Sequence, residues 1–104
     1  MKPTMVRHLI VFNTEASEAE VQRMFAQAQR VLGQIPGVEG FELGKAVGAS
    51  PRYRYLLVVD FADESVITLY RDHPLHQQFA NTVFRPMAPD RLTTDFLRLL
   101  PEEA

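Results

Sequence analysis

The sequence predicts an α+β fold, a four-stranded antiparallel sheet with its helices on one face, from three observations. The apolar pattern switches between strand and helix spacing in the order β-α-β-β-α-β, which fits a split βαβ, ferredoxin-like arrangement. Capping and breaking residues fall between the apolar segments, at Ser17, at Pro36 with Gly37, and at Pro74. Two strand-like runs, "LIVF" from Leu9 to Phe12 and "LLVV" from Leu56 to Val59, are apolar at successive positions, so both of their faces need cover.

Met5 to Phe12 reads as the first strand and stops at "NTE". Ser17 with Glu20 three residues on is a capping box, and Val21, Met24, Phe25, Ala28, Val31, Leu32 and Ile35 follow at helical spacing. That helix is expected to end near Gly33, because Pro36 and Gly37 cannot continue it. Val38 to Val47, interrupted by Gly40 and Gly44, reads as a weaker second strand, and the turn "GASPR" leads from it into a third, Tyr53 to Phe61. Asp63 is the expected N-cap of a short helix whose apolar side is Val66, Ile67, Leu69 and Tyr70. Beyond Pro74, the residues Leu75, Phe79, Ala80 and Val83 recur at helical spacing until Pro86 and Pro89. Leu92 to Leu99 reads as the last strand, and the closing "PEEA" is expected to fray.

At 104 residues the chain fits a single domain with its core over residues 5–99, so any site must be built into one small core. Hydrophobic residues at 46% and charged residues at 23% are ordinary for a soluble globular protein and exclude a disordered one. The net charge is -2 and the 11 basic residues are scattered singly, which leaves a phosphate backbone nothing to grip and excludes nucleic acid. Cysteine is absent, so there are no disulfides, thiolate nucleophiles or Cys-ligated metals. The opening "MKPTMVRHLIVFNTE" has too short an apolar run for a signal peptide or a membrane span, and a cytoplasmic location is expected. No sequence remains to cover the sheet face turned away from the helices, so a homodimer packed sheet to sheet is expected.

The stretch "LYRDHPLH", Leu69 to His76, carries the candidate chemistry. Pro74 would clash with the carbonyl of Tyr70 in a continuous helix, so the helix breaks there. His73, just before the proline, is pushed out of the α region and fits an N-cap, with Pro74 as the first helical residue and His76 in the first turn. The helix dipole at that turn disfavours imidazolium, and a neutral His76 can accept a proton. Tyr70 can orient the imidazole or donate to an oxygen that turns negative as a proton leaves carbon. The plainer alternatives stay open: His76 reaching back to the cap's N–H, and Tyr70 as a core ring. His-x-x-His spacing can bind a metal, but no third ligand is placed for it, and no metal or other cofactor is expected. His8 and Tyr55 lie on strand faces that can turn toward the same space. With Ile10, Phe25 and Leu57 as apolar walls, they are the candidate binding residues for a hydrophobic small molecule.

"MVRHLIVF", "IPGVEGFELGK", "YRYLLVVDFADES" and "YRDHPLHQQF" together resemble the stress-responsive A/B barrel (Dabb) family of dimeric α+β barrels, over residues 5–99. The resemblance implies the ferredoxin-like protomer and a homodimer that closes the barrel. In a plant polyketide cyclase of that family, the positions matching His76 and Tyr70 are the general base and its assistant, and His8 matches a pocket histidine. The cyclase's third-strand histidine falls on Tyr55, and a first-helix tyrosine on Ala28, so the polar lining differs. The resemblance therefore implies a cofactor-independent, aldol-type cyclisation of a β-polyketone or similar carbonyl compound. The alternatives are a non-catalytic small-molecule-binding or stress-related dimer, and a cofactor-free monooxygenase.

Overall fold

The computed structural model describes residues 5–102. The first four residues, which entered the reading of the chain's start, and the last two of "PEEA" lie outside the described residues; Pro101 and Glu102 are exposed and without regular structure. Strands β1 (Val6–Asn13), β2 (Val38–Lys45), β3 (Tyr55–Phe61) and β4 (Asp90–Leu97) form one antiparallel sheet in the order β2-β3-β1-β4. Helix α1 (Glu18–Leu32) follows β1. Between β3 and β4 come α2 (Ser65–Asp72), α3 (Pro74–Phe79), a π-helical segment (Ala80–Phe84) and the short α4 (Arg85–Met87). This is the predicted ferredoxin-like α+β order, with the second helical segment in pieces.

Ser17 Oγ accepts the Glu20 N–H at 3.2 Å and starts α1 as its N-cap; the Glu20 carboxylate accepts from the Ser17 hydroxyl at 3.2 Å and not from its backbone N–H, so one half of the expected capping box forms. Val21, Met24, Ala28 and Leu32 then form the buried stripe that faces the sheet. Gly33 ends the helix in right-handed conformation; the left-handed turn falls on Gly37 (φ 90), where a Cβ would sit 2.5 Å from Val66 Cγ2. The core forms between α1, the later helices and alternate strand residues. Val6, Ile10 and Phe12 of β1 and Leu57, Val59 and Phe61 of β3 are buried there. Burying each such side chain contributes about 1.5–3 kcal/mol.

Strand limits differ from the prediction by one residue in β1 and by two at the end of β2, the start of β3 and both ends of β4. β3 begins at Tyr55 because the Arg54 N–H is taken by the Asn13 side chain at 2.9 Å and the Arg52 guanidinium lies over the Tyr53 ring at 4.6 Å. β4 spans Asp90–Leu97 because its ladder with β1 runs from Asn13 opposite Asp90 to Val6 opposite Leu97. The cap position of α2 falls on Glu64, whose side chain makes no cap bond, and not on the expected Asp63; one residue earlier, the Asp63 carboxylate accepts the Ser65 N–H at 2.8 Å and closes the turn into the helix.

The join at Pro74 also forms as predicted. His73 is extended (φ -67, ψ 134); its N–H ends α2 on the Tyr70 carbonyl, and its Nδ1 accepts the Leu75 N–H at 3.1 Å to start α3. Further on, Pro86 cannot donate to the carbonyl four residues back, and the chain widens into the π turn, where the Arg85 N–H reaches the Ala80 carbonyl.

The sheet's other face carries three cross-strand rows. They read Gly40, Asp60, Arg7, Phe96; Glu42, Val58, Leu9, Thr94; and Gly44, Leu56, Val11, Leu92. Leu92 is 59% and Phe96 51% exposed there. The charged cluster on this face is Arg7 tied to Asp60 at 2.9 Å and to Glu42 at 3.0 Å.

Candidate active site

Between the helix face of the sheet and the broken second helical segment lies a cavity of about 380 Å³. Its floor is Ile10 and Phe61 with Ile67, Ala80 and Phe84, and its polar groups include His8, Tyr70, His76, Thr93 and Asp95. A larger cleft, about 670 Å³, opens beside the β1–α1 connection, but its titratable groups are the carboxylates of Glu15, Glu20 and Asp90. Asp90 is already held by Arg52 at 2.8 Å and 3.1 Å. Groups suited to proton transfer near neutral pH therefore gather in the smaller cavity.

The break at Pro74 sets the geometry of His76. Its Nδ1 lies 3.0 Å from the Arg71 carbonyl at the end of α2, which also accepts the Gln77 side-chain N–H at 2.6 Å. A carbonyl can only accept, so Nδ1 carries the proton of the neutral ring and Nε2 keeps its lone pair. Burial lowers the His76 pKa from the usual imidazole value; the bond to Arg71 opposes this, and His8, Arg85 and His73 add to the lowering. A neutral ring was expected from the helix dipole. Burial is the larger cause, and α3 has only six residues.

Tyr70 is 4% exposed, with its ring centroid 4.3 Å from that of His76, 4.8 Å from Phe61 and 5.4 Å from His8. Its hydroxyl finds no hydrogen-bond partner among the described residues and is not sealed from solvent, so it opens to the cavity it lines. Burial, with the Asp95 charge second, raises its pKa far above the usual phenol range. Tyr70 is thus a donor at any ordinary pH.

On the sheet, His8 stands opposite Asp95 in the β1–β4 register, and its Nδ1 is 2.6 Å from the Asp95 carboxylate. The ring stacks on Phe61 at 5.4 Å and 21°. The carboxylate accepts from Nδ1, which leaves the ring's other nitrogen for the cavity.

Of the residues expected from the sequence, His8, Ile10, Tyr70 and His76 line one cavity, and Phe25, Tyr55 and Leu57 do not. Antiparallel pairing explains the strand pair. His8 faces Val59 and Phe12 faces Tyr55, so Tyr55 lies four residues, or about 13 Å, from the site. There it stacks on Phe12 at 5.5 Å, while Leu57 is 2% exposed in the core. Phe25 sits beside the buried stripe of α1 and packs half-buried against the core.

Asp95, Phe61 and Phe84 were missed. Ala80 and Phe84 follow His76 at steps of four and could have been found by helical spacing. Finding Asp95 needs the register of β4 against β1, which no local pattern carries. Among the described residues no group of three His, Asp or Glu is placed to hold a metal ion. No described helix is long and apolar enough to cross a membrane.

Fold and cavity together define a ferredoxin-like α+β protein with a histidine- and tyrosine-lined cavity under its broken second helix. The chain belongs to the stress responsive A/B barrel domain family, Dabb, whose sequence profile matches residues 6–97. A Dabb family protein with a ferredoxin-like fold from Mesorhizobium loti is similar at 30% identity and TM-score 0.78, over 92% of this chain and 98% of that one. A dimeric ferredoxin-like protein of unknown function from Thermobifida fusca is similar at 23% identity and TM-score 0.73, over 92% of each chain. A hydroxynitrile lyase from Passiflora edulis is similar at 15% identity and TM-score 0.79, over 97% of this chain and 99% of that one. The last two likenesses show a shared fold. No curated protein matches the chain.

Proposed function

We propose that this chain is a cofactor-independent, polyketide-cyclase-like enzyme of aldol type, acting as a homodimer on an apolar carbonyl compound with His76 as general base. The observation that carries this reading is His76 itself: Nδ1 is spent on the Arg71 carbonyl, and the neutral ring's acceptor nitrogen shares a cavity with the free Tyr70 phenol. Nε2 takes a proton from a carbon between two carbonyls, and the C–H electron pair becomes an enolate. The enolate carbon bonds to a second carbonyl carbon of the same molecule, and that carbonyl's π pair moves to oxygen. The new alkoxide takes the proton back from His76, and loss of that hydroxyl with a neighbouring C–H proton as water, followed by enolisation, gives the aromatic ring. Tyr70, kept protonated by its raised pKa, donates to the developing oxyanion. Base catalysis of this kind supplies about 10² to 10⁴ in rate, and holding the chain folded supplies the remainder.

The outer sheet face supports the homodimer. One of its three rows is apolar throughout and Val58 and Leu9 stand at the centre of the next, and the Thermobifida protein of the same fold is described as dimeric.

Ring closure of a linear 3,5,7-trioxo ester, followed by the absorbance of the aromatic product, tests the reading. The wild type is expected to accelerate it, and His76→Ala to return it to the background rate with the circular dichroism unchanged. Full activity in His76→Ala would contradict the assignment. One observation favours a second reading, a non-catalytic ligand-binding dimer: His76 and Gln77 both hold the Arg71 carbonyl, so the ring also ties α3 to α2. Under that reading no ring closure occurs, and His76→Ala lowers stability by about 0.5–1.5 kcal/mol for the lost hydrogen bond.

A further inference from the structure

Three arginines, Arg71, Arg85 and Arg91, line the cavity of a chain whose net charge is -2. Away from the cavity, Arg7 meets Asp60 and Glu42, Arg52 meets Asp90, and Arg54 is spent on the Gly48 and Ala46 carbonyls. At the cavity, Arg71 pairs with the neighbouring Asp72. The other two meet only neutral acceptors among the described residues: Arg85 the Asn81 amide oxygen, and Arg91 the Ala88 carbonyl at 2.9 Å. The one carboxylate on the lining, Asp95, is engaged by His8 at 2.6 Å. The wall therefore holds two guanidiniums with donors left over and no anion to meet them.

We propose that the cavity's ligand carries a carboxylate, which Arg85 and Arg91 hold at one end while Ile10, Phe61 and Phe84 take its apolar body. This names the substrate class for the site proposed above and rests on that cavity being the ligand site. Planar guanidinium forks match the two oxygens of a carboxylate, and each bond so formed is charge-assisted. A volume of about 380 Å³ is at the small end for ligand sites and fits an aryl or alkyl oxo acid better than a nucleotide-sized molecule. The placement also suits the chemistry. Arg85 is close enough for its charge to lower the His76 pKa, and a bound carboxylate would screen that charge and leave the base stronger in the complex.

Calorimetry with unreactive probes tests this independently of turnover. The probes are 4-phenylbutanoate, its neutral amide, and phenylpropyl phosphate, titrated at low and high salt. The acid is expected to bind about tenfold more tightly than the amide, the worth of one charge-assisted hydrogen bond, and to weaken as salt rises. Arg85→Gln and Arg91→Gln should each cut that preference, the double variant should bring acid and amide within about twofold, and Arg85→Lys should keep part of it. Equal binding of acid and amide to the wild type would overturn the proposal, as would a preference surviving in the double variant. Tighter binding of the phosphate than of the acid would also overturn it, assigning the arginines to a phosphate group. Failure of ring closure with the trioxo ester and with a trioxo chain ending in a free carboxylate, the acid preference being intact, would sink the aldol reading alone. Ring closure without that preference would sink the carboxylate alone.

Discussion

At His76 a single bond to the Arg71 carbonyl decides which nitrogen can react. Tyr70 is complementary, because burial forces its phenol to remain a donor. Tyr70→Phe removes only a hydroxyl with no protein partner, so thermal unfolding should hardly change. Turnover should fall by about 10² to 10³, the usual effect of losing one oxyanion donor, and stopped-flow kinetics on the trioxo ester would show it. A small loss of rate would return Tyr70 to the role of a core ring. Much of this was readable from "LYRDHPLH", because Pro74 imposes the break and the break fixes which residues cap and which turn inward. Asp95 was not readable. Its place opposite His8 depends on strand register, and a slip of one residue would have sent it to the outer face.

Among the elements, α3 depends on its join. His73 closes α2 through its backbone and opens α3 through its ring. His73→Ala is expected to cost about 0.5–2 kcal/mol in urea unfolding, and His73→Asn, a good N-cap, to restore most of it. No difference between Ala and Asn would show that Pro74 alone sets the start. The element order was legible because strand and helix spacings differ and Ser17, Gly37 and Pro74 punctuate them. The π segment was hidden, since a proline disturbs the turn before it and the sequence does not say whether the helix kinks, stops or widens. The site's position along the sheet was equally hidden: Tyr55 and His8 both sit on the helix face, and only antiparallel pairing shows that they lie at opposite ends of it.

For the whole molecule, the outer sheet face decides assembly. The successive apolar residues of β1 and β3 announced that both faces need cover, and the structure leaves Leu92 and Phe96 half or more exposed on that face. Multi-angle light scattering at micromolar concentration should give twice the chain mass for the wild type. Leu92→Asp should give a single chain mass, because a carboxylate buried without a partner in the apolar row outweighs the apolar contact. A wild-type monomer would contradict the sheet-to-sheet homodimer. The central claim, however, is that the neutral His76 ring takes a proton. The pH dependence of kcat/KM for ring closure, measured beside the His76 ring-proton NMR titration, tests it most directly. Imidazolium cannot accept a proton, and the His76 pKa is lowered, so the rate should be flat near neutrality. It should then fall about tenfold per pH unit below a break that lies under the model-peptide value of about 6.5 and coincides with the NMR midpoint. A profile without that break, or one whose break departs from the His76 titration, would contradict the account.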